Sequence, residues 1–229
     1  MEQHELRRAP KRAPTLRFWA SSGLRLARYR HHKLFCGGLT VFHTPAFGNL
    51  LLAYNWSPFV HHGLIAIKPD ETRWWGDYFH KSFVLDQANN SLVIKGRIEA
   101  QPVQYTRTYY FDEEELRVSI HYKANEPTGF SRFIENIPLS LGRNKPYGVT
   151  INTSNQVDQT EDRITTDRVE ILDEKGKGVN ILFDRPRKVY INRKGMAYKD
   201  LRCGRIEIDL PLPATGQTVA FAYRFVPIN

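Results

Sequence analysis

Apolar and polar residues alternate with a period of two along most of the chain, the pattern of half-buried β-strands. In "YTRTYYFDEEELRVSIHY", residues 105 to 122, Leu116, Val118, Ile120 and Tyr122 share one face, and Arg117, Ser119 and His121 share the other. The acidic "DEEE" at 112 to 115 is the hairpin connection between the two runs. Near the end, Ile206, Ile208 and Leu210 alternate in "RIEIDL", and Val219, Phe221, Tyr223 and Phe225 alternate in "TVAFAYRF". Further strands are expected near residues 16–20, 24–30, 33–41, 49–54, 63–67, 82–86, 91–99, 130–137, 148–153, 168–173, 179–183 and 188–192. No segment of helical length sustains an apolar stripe at i, i+3, i+4 and i+7. The polar stretch "NQVDQTEDRITTDR", 155 to 168, reads as an exposed excursion.

This strand count exceeds what a small immunoglobulin-like sandwich holds, so the expected fold is all-β, with two large antiparallel sheets packed face to face. No repeat of fixed period points to a propeller or solenoid. At 229 residues one sandwich accounts for the chain: a single domain over 15–229, preceded by a flexible basic tail over 1–14.

Charge sharpens the picture of that tail. Lys and Arg outnumber Asp and Glu by 33 to 24; residues 1 to 33 hold nine of the cations against Glu2 and Glu5, a local excess of +7 out of +9. A nucleic-acid domain spreads its basic surface over a face of the fold, so this localisation argues against a nucleic-acid partner. Neither an apolar run of signal-peptide length nor a bilayer-spanning stretch is present, and no membrane partner is expected. The chain is expected to be soluble: cytoplasmic if Met1 is the native start, periplasmic or extracellular if it is a fragment. Two cysteines, Cys36 and Cys203, exclude a disulfide-dense scaffold and leave one optional bridge.

Candidate chemistry is sparse. "TRWWGDYFHKSF", 72 to 83, combines aromatic rings, which stack on the CH faces of sugars, with polar groups for hydroxyls. Trp74 and Trp75 are adjacent, so on a regular strand at most one of them faces the core. The alternative is that this stretch is only packing. Together with "YNWSPFVHHG", 54 to 63, the segment supplies one constellation: Trp56, His61, Arg73, Trp75 and Tyr78 as the lining of a groove. His61 and His62 point to opposite sides of a strand and make no metal site by themselves; no metal or cofactor is expected. Glu135 in "RFIEN" is the one acid/base candidate, weighed against an ordinary salt-bridged carboxylate. Ser21, Ser22 and Cys36 lack a recognisable base at family spacing.

Two segments carry a resemblance. "SGLRLARYRHHKLFCGGLTVFHTPAFGNLLLAYN", 22 to 55, resembles the opening of the β-sandwich that follows the α/α toroid in heparinase II/III-type polysaccharide lyases. "YTRTYYFDEEELRVSIHYKAN…FSRFIENIPLS" resembles the later strands of galactose-mutarotase-like supersandwiches. The resemblance implies that fold and a carbohydrate context. Those lyases take catalytic Tyr and His from the toroid, which this chain lacks, and Gly37-Gly38 here leads into "LTVFHTP", leaving His43 without a second nearby ligand. The implied role is therefore a non-catalytic glycan-binding or accessory part of a lyase-type protein, with an acidic polysaccharide and a helical toroid domain or chain as partners. A mutarotase-like enzyme acting on a hexose, or a structural sandwich packed on a partner domain, are the alternatives.

Overall fold

The structure, a computed structural model, describes residues 4–7, 17–20, 41–44, 48–52, 62–76, 79–86, 88–98, 101–112, 114–143, 150–154, 161–198 and 201–228. Among them it is entirely β: β1 (His4–Arg7), β2 (Arg17–Ala20), β3 (Val41–Thr44), β4 (Gly48–Leu52), β5 (Gly63–Ile67), β6 (Arg73–Trp75), β7 (Phe79–Asp86), β8 (Ser91–Arg97), β9 (Val103–Phe111), β10 (Leu116–Ala124), β11 (Arg132–Arg143), β12 (Thr150–Thr153), β13 (Glu161–Leu172), β14 (Gly178–Tyr198), β15 (Leu201–Leu210) and β16 (Thr218–Ile228). No helix of the described residues is long and apolar enough to cross a membrane.

Strands β5 to β16 form one 12-stranded sheet in the order β6-β5-β11-β15-β14-β16-β10-β9-β8-β7, with β13 beside β14 and β12 beside β13. The sheet doubles over because β14 belongs to two halves. Its first residues, Gly178 to Phe183, pair with β16, and its later ones, from Val189, pair with β15. Between them, β13 advances only from Thr166 to Arg168 while β14 runs from Arg187 back to Leu182. Pro186 sits in this corner, where a residue without an N–H costs no ladder bond. Arg187 clasps Asp184 through Nε at 3.2 Å and Nη2 at 2.7 and 2.9 Å, and lays its guanidinium over the Phe221 ring at 4.9 Å.

Two layers result. One is β7-β8-β9-β10-β16 with the start of β14; the other is the end of β14 with β15-β11-β5-β6. Alternation sends Tyr105 and Tyr109, Val118 and Ile120, Phe221 and Phe225 inward from the first layer. Leu64 and Ala66, Phe133 and Ile137, Ile206 and Ile208 come inward from the second, and all of these belong to one core cluster. Tyr122 of β10 stacks on Phe133 of β11 across the gap, with centroids 4.7 Å apart.

Several elements differ from the pattern reading. The expected strands at 179–183 and 188–192 are one continuous β14, because "DRPR" makes a corner instead of a connection. Residues 161 to 168, expected in an exposed excursion, open β13; Ile164 packs on the core while Arg163 and Thr165 face away, so the stretch reads as polar. The three-residue β6 is too short to show a period. β1 falls inside the stretch expected to be a flexible tail and pairs with β2 from His4↔Ala20 to Arg7↔Arg17. The strands expected at 24–30 and most of 33–41 lie outside the described residues.

A polar network crosses the core. Arg107 of β9 donates from Nη2 to Glu135 Oε2 of β11 at 2.9 Å, and both side chains are wholly enclosed. Tyr223 of β16 donates its hydroxyl to Glu135 Oε1 at 2.7 Å. Arg107 Nη1 reaches His62 Nδ1 at 3.1 Å and the Tyr109 hydroxyl at 3.4 Å. A guanidinium has no acceptor, so His62 Nδ1 accepts and its proton sits on Nε2, which donates to the Tyr223 hydroxyl at 2.5 Å. Burial, and after it the Arg107 charge, holds the His62 imidazole well below its ordinary range. It is neutral, so its 3.4 Å approach to Glu135 is not a second ion pair. Burial, and then the Glu135 carboxylate, push the Tyr223 phenol well above its ordinary value.

Two outcomes follow for stability. Removing one partner of a buried pair strands the other charge, so Glu135→Gln or Arg107→Met is expected to cost about 3–5 kcal/mol in urea unfolding. The double variant Arg107→Met/Glu135→Leu is expected to cost clearly less than the two losses combined; strict additivity would show that the two side chains are not coupled. As for pH, the unfolded chain protonates His62 near 6.5 while the folded chain resists, so the unfolded state holds more protons below that value. Stability is therefore full above about pH 6.5 and declines below it, this one site contributing at most about 1.4 kcal/mol per pH unit. Unfolding midpoints between pH 5 and 8 are expected to show a shallower acid limb for His62→Gln.

Candidate functional site: the outer face of the second layer

The inner faces of the sheet are filled by the core, and the polar side chains of the second layer gather on its outer face. On the second layer that face is built by cross-strand rows. Arg163, Tyr190, Glu207, Asn136 and Gly63 stand opposite one another in sequence across β13, β14, β15, β11 and β5. A neighbouring row carries Asp209, Ile134, Ile65 and Trp75, and the next carries Arg132, Ile67 and Arg73.

These rows bring guanidinium groups onto one carboxylate. Glu207 is buried, and its Oε1 accepts from Arg73 Nη1 at 3.2 Å while Arg205 Nε approaches it at 3.1 Å. Arg132 Nη2 lies 3.9 Å from Glu207 Oε2 and donates to Asp209 Oδ1 at 2.9 Å. The side chains of Arg73 and Arg132 are 22% and 24% exposed, so each guanidinium is oriented by a carboxylate and still reaches solvent. Tyr190 lies beneath the same Arg205, 6.0 Å from its ring centroid, and one further cation, Arg163, at 5.6 Å. Three guanidiniums (Arg73, Arg132, Arg205) thus meet two carboxylates, Glu207 and Asp209, and Arg163 lies beside them over Tyr190. Among the described residues the four guanidiniums outnumber the two carboxylates here, between two aromatic groups, Trp75 on β6 and Tyr190 on β14.

The two adjacent tryptophans part as alternation requires. Trp74 packs against the main core, with Lys68 Nζ 5.3 Å from its ring centroid, and Trp75 packs on a small outer cluster of Ile65, Ile67 and Ile134. Of the five residues expected to line one groove, the structure brings Arg73 and Trp75 to this face; Trp56, His61 and Tyr78 lie outside the described residues. Glu135, the acid/base candidate, is in the core, with both oxygens engaged and no exposure. Arg132, Arg205, Glu207, Asp209 and Tyr190 were not among the sequence candidates. Their signal was present in the polar alternates of "RIEIDL", where Arg205, Glu207 and Asp209 interleave the core residues. Among the described residues no three His, Cys, Asp or Glu side chains gather in a way that would hold a metal ion.

No protein-family model matches the sequence, and no curated protein matches it. Solved structures share its fold. The 4-alpha-glucanotransferase from Thermococcus litoralis is similar with a TM-score of 0.62 at 14% identity, over 99% of this chain and 38% of that one. Heparan sulfate lyase HepC from Pedobacter heparinus gives 0.60 at 12% identity, over 93% of this chain and 33% of the lyase. A galactose mutarotase-like protein from Lactobacillus casei gives 0.61 at 9% identity, over 98% of this chain and 100% of its own. The chain therefore spans 38% and 33% of the first two proteins and the whole of the third. In agreement with the resemblance drawn from the sequence, the fold is the galactose-mutarotase-like β-sandwich.

Proposed function

We propose that this chain is a carbohydrate-binding β-sandwich that holds an acidic polysaccharide on the outer face of its second layer, as the accessory part of a larger lyase-like assembly. The observation that carries the reading is the set of guanidiniums drawn together by Glu207 and Asp209 between Trp75 and Tyr190. A guanidinium presents a rigid fork of donors that matches the oxygens of a carboxylate or sulfate, and its orientation by a buried carboxylate lowers the ordering cost of binding. Trp75, partly buried on its isoleucine cluster, offers a ring edge for sugar CH groups, while Tyr190 serves as the base on which Arg163 and Arg205 rest. From β6 to β13 the face crosses six neighbouring strands, on the order of 24 Å at the usual strand spacing, which suits several sugar rings in a row. The spans of about a third on the glucanotransferase and the heparan sulfate lyase support a division of labour with a further domain, helical in the lyase-type reading.

A second reading has one observation in its favour: the mutarotase-like protein is matched over its full length, so this sandwich is the size of a protein that stands without an added domain. In that reading the same face turns over a hexose, with Glu207 as its carboxylate. Polarimetry separates the two. Catalysed mutarotation of α-D-galactose that Glu207→Gln abolishes supports the enzyme, and a rate equal to the uncatalysed one supports the binding domain.

For the binding domain, titration calorimetry with heparan sulfate fragments is expected to give saturable binding that weakens as salt rises from 50 to 300 mM. Arg73→Gln/Arg132→Gln is expected to weaken it by about 1.5–3 kcal/mol for each charge-assisted hydrogen bond lost; since it leaves buried Glu207 with Arg205 alone, it is also expected to lower the thermal midpoint, so binding is compared well below the unfolding transition of the variant. Binding that survives the double substitution unchanged would remove this face from the proposal.

A further inference from the structure

The outer face of the first layer carries a second arrangement, independent of the arginine face. Lys95, Thr106, His121 and Ala220 stand opposite one another in one cross-strand row. Arg97, Gln104, Lys123 and Thr218 form the next. Where the two rows meet, a cavity of about 310 Å³ opens, lined from this face by Lys95, Gln104, Thr106, His121, Lys123 and Thr218, with Gly96, Tyr105 and Tyr122 completing it. The depression follows from side-chain length, since Thr106 and Thr218 are short while Lys95, His121 and Lys123 around them are long.

The chemistry of the lining is one-sided. The six residues that line it from this face supply two ammonium groups, an imidazole, two hydroxyls and a carboxamide, and neither they nor Gly96, Tyr105 and Tyr122 supply a carboxylate. Among the described residues neither Lys95 nor Lys123 takes part in an ion pair, in contrast to Arg117 and Arg224 farther along the same face, which share Glu115 at 2.8 and 3.0 Å. Two exposed ammonium groups beside one cavity repel each other, and a bound anion relieves that repulsion. Its volume lies at the small end of ligand sites, which run from about 300 to 1,000 Å³, so the occupant is one ring rather than a chain. The hydroxyls and the carboxamide both donate and accept, as ring hydroxyls require.

We infer that this cavity is a binding site for a single sugar residue bearing a sulfate or carboxylate group, the anion held by Lys95 and Lys123 and the ring hydroxyls by Gln104, Thr106 and Thr218. The site does not depend on the arginine face, which lies on the other layer.

The test is a nuclear magnetic resonance titration of the ¹⁵N-labelled full chain with glucose 6-sulfate, glucuronate, glucose and inorganic sulfate as separate probes. The two anionic sugars are expected to give saturable amide shifts centred on Lys95, Thr106, His121 and Lys123. They should bind at least tenfold more tightly than either glucose or inorganic sulfate. Lys95→Gln/Lys123→Gln, both exposed and so without effect on folding as checked by circular dichroism, is expected to weaken this binding at least tenfold, and Arg73→Gln/Arg132→Gln to leave it unchanged. The absence of saturable shifts at these amides overturns the inference. So does inorganic sulfate binding as tightly as glucose 6-sulfate, or a loss caused by the arginine substitutions in place of the lysine ones. Because the lysine and arginine variants are read separately, failure here leaves the heparan sulfate experiment standing, and the reverse.

Discussion

The ion pair between Arg107 and Glu135 is the constraint around which the sandwich is arranged. Its two ends come from strands that never touch in the sheet, β9 and β11, so the pair forms only when the two layers face each other at one spacing and one register. Apolar contacts tolerate sliding; a fully desolvated charge does not, since a shift that opens the pair leaves an unpaired ion in the core. Tyr223 and His62 occupy remaining hydrogen-bonding positions around it, with the neutral imidazole relaying between the guanidinium and the phenol. The network adds little net stability over a hydrophobic substitute, by the general behaviour of buried pairs. What it contributes is the exclusion of other alignments of two sheets whose inner faces are otherwise greasy and interchangeable.

That alignment decides which side chains reach the surface together. A doubled sheet has two inner faces, both consumed by the core, and two outer faces; on the second layer's outer face Ile65, Ile67, Ile134, Asn136 and Glu207 are buried too, and Arg73, Trp75 and Arg132 keep part of their surface. The corner in β14 makes the doubling possible: Pro186 interrupts pairing, and the Arg187–Asp184 clasp lets a cation sit at the edge of the core against Phe221 without being left unpaired. With the corner in place, the alternate residues of every strand fall into cross-strand rows on the outside. Chemistry scattered over more than a hundred residues of sequence, from Arg73 to Glu207, becomes a patch a few strands wide.

How much of this was legible in the sequence differs by level. The all-β class and most strands were, because alternation is a local property and β10, β15 and β16 display it without interruption. The short β6 and the continuous β14 were not, since three residues show no period and a Pro between two runs reads as a break. On the candidate face, Arg73 and Trp75 were conspicuous in the sequence because aromatic and cationic residues crowd together in "TRWWGDY". Arg132, Arg205 and Glu207 were not, because each looks like an ordinary solvated residue until strand pairing places them side by side. Glu135 illustrates the converse: conspicuous in "RFIEN", it is paired to an arginine 28 positions away that no local pattern connects to it.

The two outer faces use their cations differently, and the difference is physical rather than nominal. On the second layer, guanidiniums are braced by Glu207 and Asp209, so their planes are set before any ligand arrives and the surface is an extended, rigid array suited to repeating anionic groups. On the first, two lysines on flexible stems flank a cavity without a bracing carboxylate, which suits a compact ligand that supplies the countercharge itself. A braced array loses little entropy on binding and gains by repetition along a chain, whereas an unbraced pair gains from neutralisation and pays in ordering two long side chains. The same fold thereby presents braced guanidiniums on one face and unbraced ammonium groups beside a cavity on the other, each fixed by which residue types stand between the core positions of its strands.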